Sequence, residues 1–300
     1  MVDWQDPNVI AADGTTLIRL THAVAGLYTW EWVTTLDFEW SVFTGKRPWK
    51  WPTFLYLSSR YCVLVAIISQ LIIFNVTHEI NCTALERAIE GFAFVAMDSA
   101  SALIALRAFA FWRRNYYVLT VIIAAFMANV GIQIHDMVVA TSSWDSSANS
   151  CILQNTSRMR LQLIATFATD VVLLVTMLSG LILRRTYCGL YQLLLSQGLL
   201  WAVIATLSYI PPVLLSSLNL NGIMNLMTPT VAYVTLVICA TRMHRDLMDN
   251  VIPALRDAPI AVVSSMRFSS MTTHSRPGPC VRDIEALKTA DSENATSLGD

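Results

Sequence analysis

Seven strongly apolar stretches, separated by short polar loops whose basic residues fall on alternate loops, restrict this chain to a polytopic membrane fold. A helix needs about 20 mainly apolar residues to cross the hydrocarbon core. Stretches at 15–36, 53–75, 88–111, 116–140, 161–183, 193–217 and 222–241 meet that length. Charged residues make up 14% of the chain, against about 25% in a soluble domain. The expected fold is all-α: a bundle of seven transmembrane helices, with the N-terminus outside and the C-terminus in the cytoplasm.

The first stretch carries Arg19, His22 and Glu31. A charge at a helix centre costs about 2.5–3.5 kcal/mol, less near the ends, and Arg19 and Glu31 lie near opposite ends. The start, Met1-Val2-Asp3-Trp4-Gln5-Asp6, is acidic and lacks the basic lead of a signal peptide. The first span is therefore expected to serve as its own insertion signal.

Orientation follows from Lys and Arg. Lys46, Arg47 and Lys50 follow span 1, Arg113 and Arg114 follow span 3, Arg184 and Arg185 follow span 5, and Arg242 and Arg245 follow span 7. The opposite side has Arg87, Arg158 and Arg160, all at helix starts. The expected organisation is an outer segment at 1–14, a membrane domain at 15–241, an amphipathic juxtamembrane helix at 242–256 and a disordered cytoplasmic tail at 257–300. The bilayer is the first partner, in the plasma membrane or an endomembrane of the secretory pathway.

Cys62 and Cys239 fall inside spans and read as small core residues. Cys82 and Cys151 fall on the outer, oxidising side, where a disulfide is expected and two free thiols are the alternative. Asn155-Thr156-Ser157 is a glycosylation sequon in an outer loop.

The run Trp30-Glu31-Trp32 … Leu36-Asp37-Phe38-Glu39-Trp40 … Gly45-Lys46-Arg47 … Trp49-Lys50-Trp51-Pro52 … Tyr56 … Arg60-Tyr61 resembles a large family of basidiomycete seven-span membrane proteins. The similarity continues through Asn81-Cys82, Leu106-Arg107 … Phe111-Trp112-Arg113, and Asn219-Leu220-Asn221 … Asn225-Leu226-Met227, ending near Ala240-Thr241-Arg242-Met243. That family has no established activity, so the resemblance implies topology and a fungal source but no chemistry. A looser similarity, in topology alone, is to G-protein-coupled receptors. There a Cys82–Cys151 bond would tie the top of span 3 to an outer loop, but Leu106 stands before Arg107 where those receptors carry an acid.

Ionisable residues within spans are functional candidates because they are costly to insert. Asp98 in span 3, Asn129 in span 4 and Asp170 in span 5 each lie 13 residues from the inner end of their span, about 20 Å deep at 1.5 Å per residue. They are expected to face one cavity, where a carboxylate can donate a proton, bind a cationic ligand, or hydrogen-bond its neighbours as structural glue. Glu31 and Arg60 reach similar depths near the inner face and are expected to form a structural ion pair. Arg19, His22, Gln133, His135 and Asp136 form an outer polar set read as interfacial. Trp30, Trp32, Trp40, Trp49 and Trp51 read as an inner interfacial belt, not a nucleic-acid platform.

There is no metal-ligand spacing, no phosphate loop and no nucleophile elbow, so neither a metal nor a cofactor is expected. Three classes fit. The first is a receptor-like sensor binding a small apolar or cationic molecule at Asp98, Asn129 and Asp170, with a cytoplasmic signalling partner. The second is a membrane-embedded enzyme, cyclase- or isomerase-like, in which Asp98 or Asp170 is a general acid. The third is a transporter or scaffold, disfavoured because no internal repeat is evident. In sealed microsomes an epitope placed ahead of Trp4 is expected to lie in the lumen and resist added protease; cleavage before the membrane is opened would mean that span 1 does not insert.

Overall fold

The computed structural model describes residues 4–47, 49–76, 78–112, 116–145, 150–154, 159–183, 189–218 and 221–257. Arg113, Arg114, Asn155, Arg158, Arg184, Arg185 and the tail from 258 lie outside the described residues. The elements in chain order are α1 (Pro7–Thr34), α2 (Leu36–Phe43), α3 (Trp51–Asn75), α4 (Cys82–Phe111), α5 (Tyr116–Val139), a hairpin of β1 (Thr141–Asp145) and β2 (Ser150–Gln154), α6 (Met159–Leu183), α7 (Gly189–Leu207), α8 (Ile210–Leu218), α9 (Gly222–Met227) and α10 (Pro229–Asp257). Apart from the antiparallel hairpin, which pairs Trp144 with Cys151, the described fold is all helix.

Six described segments are long and apolar enough to cross a membrane: Trp51–Asn75, Cys82–Phe109, Tyr116–Val139, Arg160–Gly180, Gly198–Leu218 and Gly222–Asp249. They mark the chain as an integral membrane protein. Its surface agrees, since Leu27, Phe54, Ile68, Val121, Met127, Val175, Leu200 and Leu214 are exposed while Gln133, Glu39, Arg60 and Asp170 are buried. In water this arrangement would place apolar area where it costs most; against lipid tails it costs nothing.

Local chemistry sets the helix ends. Asp6 caps α1 by accepting from the Asn8 amide at 2.8 Å, with Pro7 in the first turn. Asn81 caps α4 through the Ala84 amide at 3.1 Å, and Asn221 caps α9 through Met224 at 2.7 Å. Thr21, Thr29, Thr176 and Thr241 donate to the carbonyl four residues back at 2.7–2.9 Å, so these hydroxyls carry their own partners into an apolar setting. Two spans are interrupted. Gly198–Leu218 breaks at Ser208–Tyr209 ahead of Pro211-Pro212, and Gly222–Asp249 breaks at Thr228 ahead of Pro229, where proline cannot supply the amide a continuous helix needs. The expected first crossing at 15–36 is not among the six segments.

α4 is the central helix, in contact with α3, α5, α6 and α10. Ala93, Ala96, Ala100 and Ala108 are buried along it, and such small residues let helix backbones approach closely. One end of α4 is tied to the hairpin by the Cys82–Cys151 disulfide, with a Cα–Cα distance of 5.7 Å. Thr83 donates to the Ser142 carbonyl at 2.7 Å, and Arg87 reaches the Val138 and Ala140 carbonyls at 3.0 and 3.2 Å. The expected disulfide is present. The hairpin and the short helix α2 were not anticipated, because each depends on a distant partner.

The opposite end is closed by charge, and not by the expected pair. Glu31 does not meet Arg60. It accepts from Arg242 at 2.5 and 3.0 Å and from Arg245 at 2.8 Å. Arg60 instead pairs with Glu39 at 2.7 Å, both almost wholly buried. The same guanidinium donates to the Tyr56 hydroxyl at 2.5 Å and the Trp32 carbonyl at 2.9 Å, while Tyr61 donates to Glu39 at 2.8 Å. Matching depth alone could not decide the pairing: α2 turns back into the bundle and delivers Glu39, while α10 brings two arginines to Glu31. The segment 242–256 is the continuation of α10, and its Met243, His244 and Met248 are buried against the bundle. Trp30, Trp40, Trp49 and Trp51 are exposed at this end, whereas Trp32 packs edge-on against Tyr61 at 6.3 Å.

Removing one partner of a fully buried ion pair leaves an uncompensated charge, at a cost of about 3–5 kcal/mol. Arg60→Met should therefore destabilise the purified protein by about that much in an unfolding titration. Glu39→Leu combined with Arg60→Met should recover most of the loss, whereas Glu31→Arg combined with Arg60→Glu should recover none.

Candidate functional site

The mid-bundle polar residues lie where α4, α5 and α6 meet. Asp98, Asn129 and Asp170 each sit near the centre of their helix. Asn129 donates through Nδ2 to Asp98 Oδ1 at 3.4 Å, and Gln133 donates through Nε2 to the same oxygen at 3.3 Å. Thr166 of α6 donates to Asn129 Oδ1 at 3.1 Å, and Gln162 donates to Thr166 at 3.5 Å. Asn129 thus bridges α4 and α6 from α5. Asp170 lies on the other side of α4 Ser101, which donates to its Oδ1 at 2.9 Å. Its Oδ2 is buried and has no hydrogen-bond partner among the described residues.

Asp98 and Asn129 meet directly by a hydrogen bond, and Asp170 is joined to α4 through Ser101. Asp170 is buried and Asp98 half-buried, and neither forms a salt bridge among the described residues. Tyr209, at the break between α7 and α8, is buried and donates to Met97 Sδ, one residue before Asp98, at 3.2 Å. The long contacts to Asp98 and the bare oxygen of Asp170 leave acceptor capacity unused. A carboxylate can accept about four hydrogen bonds, so the set can take a proton, a cation or a hydrogen-bond donor.

The expected outer set divides. Gln133 joins the core, 2% exposed. Arg19, His22 and His135 are exposed, and His22 Nδ1 lies 2.8 Å from its own helix's Ile18 carbonyl. Gln133, Ser101, Gln162 and Thr166 were missed as members of the site. A signal for them exists: 129 and 133 on α5, and 162, 166 and 170 on α6, recur every four residues and so share a helix face.

From the core, α4 runs on to Arg107, whose Nη2 donates to the Met243 carbonyl of α10. A Cβ at Gly198 of α7 would stand 2.7 Å from the other guanidinium nitrogen, so glycine there leaves room for Arg107 between α7 and α10. Beside it lies a cleft of about 620 Å³, bordered by α1, α2, α7 and α10 and lined by Glu31, Asp37, Arg47, Trp201, Arg242 and Asp249, among others. Arg47 pairs with Asp249 across it and stacks over Phe38 at 4.7 Å. Arg242 stacks over Trp201 at 5.6 Å.

No family model matches the chain, and no curated protein or solved structure was found to be significantly similar to it. The geometry is the whole basis for assigning a role.

Asn129→Leu keeps the number and branching of side-chain heavy atoms while removing both bridging bonds. It is expected to destabilise the protein by about 1–3 kcal/mol, the cost of leaving buried partners unsatisfied, as a lower midpoint in thermal unfolding. An unchanged midpoint would mean that these hydrogen bonds do not hold α5 to its neighbours.

Proposed function

We propose that the protein is a receptor-like seven-span membrane protein that binds a small molecule inside the bundle at Asp98, Asn129 and Asp170. In this reading α1 is the first crossing and the disulfide-bearing end faces outward. α1 has the reach, since its 28 residues extend about 42 Å, and it packs on α3, α9 and α10. Basic residues at the latched end, among them Arg47, Arg242 and Arg245, support placing that end in the cytoplasm.

The observation that carries the reading is Asp170 Oδ2, a buried carboxylate oxygen near the middle of α6 with no hydrogen-bond partner among the described residues. Structural glue satisfies its polar atoms; a binding site keeps some in reserve. A ligand with a cationic or donor group would take up that capacity and pull on Asp170 and Asp98. α4 would pass the shift to Arg107 and its hold on α10, because a ligand moves an equilibrium only through differential contact with its two states. The charged cleft beside Arg242 and Arg245 is then the surface offered to a cytoplasmic partner. The same bare oxygen also fits a general acid, which keeps an enzyme acting on an apolar metabolite as the second reading.

One assay separates the two. Purified protein is incubated with a small-molecule extract, and retained compounds are followed by mass spectrometry. A compound held by wild type, lost with Asp98→Asn and recovered unchanged is the expected result. A compound consumed, with a new mass appearing only with wild type, would replace the receptor reading with the enzyme. Retention of nothing at all would count against a mid-bundle site.

A further inference from the structure

The carboxylates of the core belong to a longer feature. On α4, Glu86 and Glu90 are neighbours four residues apart, and Asp98 follows eight residues on, about 80° around the helix from Glu90. On α5, Asp136 and Gln133 lie opposite them, and on α6 Asp170 closes the series. The result is an acidic seam from the disulfide-bearing end to the bundle centre. Beyond it, Ile104, Ala105, Leu173 and Met177 are buried and apolar, so the seam opens toward one face only.

Two independent features show that this is more than a cluster of acids. Glu90 is 9% exposed, and its Oε2 has no hydrogen-bond partner among the described residues, as with Asp170 Oδ2 further in. Nor is there charge compensation: no salt bridge among the described residues involves Glu86, Glu90, Asp98 or Asp170. The charged or titratable groups around the seam are few. Arg87 lies beside Glu90, but its guanidinium is committed to the Val138 and Ala140 carbonyls. Arg160 of α6 is turned to the Ser216 carbonyl, and His135 of α5 is exposed. Tyr209 gives its hydroxyl to Met97.

We propose that this seam is a proton-binding site served from the disulfide-bearing face, with Glu90 and Asp98 taking protons from that side. A buried carboxylate without a cation is most simply neutralised by a proton. Hydronium from the adjoining water gives up H⁺ to a carboxylate oxygen: an O–H bond forms, water departs, and the carboxylate charge is cancelled. A metal ion fits less well, because no group of three His, Cys, Asp or Glu side chains among the described residues is placed to hold one. A proton also needs no cavity, which suits oxygens enclosed as tightly as Glu90 Oε2 and Asp170 Oδ2. The inference deepens the receptor reading, naming the proton as a ligand of the same core, but does not depend on any organic compound being retained.

The test is infrared difference spectroscopy on the full chain in lipid, stepping the buffer from mildly alkaline to mildly acidic. The expected result is a growing carboxylic C=O band that loses one component in Glu90→Gln and another in Asp98→Asn. A wild-type spectrum with no such band overturns the proposal even if a variant fails to fold, as does a band unchanged in both variants. A response to sodium at constant acidity, in place of the response to acid, would reassign the seam to a metal cation. A compound retained in the mass-spectrometric assay by a protein without titrating carboxyls would leave the receptor reading and remove this one.

Discussion

Hydrocarbon offers no water to a polar group, so every one brought inside must find its partner within the bundle. The structure follows from how this chain meets that demand at three depths. At the latched end it is met by charge pairing: Arg60 with Glu39, and Glu31 with Arg242 and Arg245. Along the helices it is met locally, by threonine hydroxyls returned to their own backbones. At the centre it is met only in part, since Asp170 Oδ2 is buried with no hydrogen-bond partner among the described residues.

The two ends restrain different elements. The disulfide and the Thr83 and Arg87 bonds fix the start of α4 to the hairpin. At the other end α2 acts as a plug: Phe38 packs on Tyr56 at 5.3 Å while Glu39 enters the bundle to meet Arg60. Burying such a pair is a poor source of stability but a strong source of specificity, since any other docking of α2 strands one of the two charges. With its start tied to the hairpin, α4 meets α10 at its other end through Arg107.

Much of this was legible in the sequence because it depends on local length and composition. Six of the seven apolar runs correspond to described segments fit to cross a membrane, and the first run, at 15–36, is not among them. Cys82 and Cys151 form the bond their shared side suggested, and equal depth singled out Asp98, Asn129 and Asp170 as one polar set. What could not be read depends on three-dimensional routing. Glu31 and Arg60 match in depth, but depth says nothing of which neighbour faces which, and α2 and α10 supply better partners. Gln133 looked interfacial beside His135 and Asp136, yet residues two apart on a helix point about 200° around its axis from one another, so Gln133 turns inward while His135 faces out. The hairpin carries Trp144 and Ser142 in a short polar stretch whose pairing becomes visible only once β1 and β2 are in register.

On the proposed reading, the Asp170 carboxylate oxygen that has no hydrogen-bond partner among the described residues is kept for function and is not glue between helices. The stability of Asp170→Asn against wild type, in reversible unfolding from the same detergent, addresses it most directly. A residue held for function at a structural cost should be replaceable without loss, so the account predicts a variant as stable as wild type or more so. A clear drop in stability would show that Asp170 holds α6 to α4, and the claim would fail.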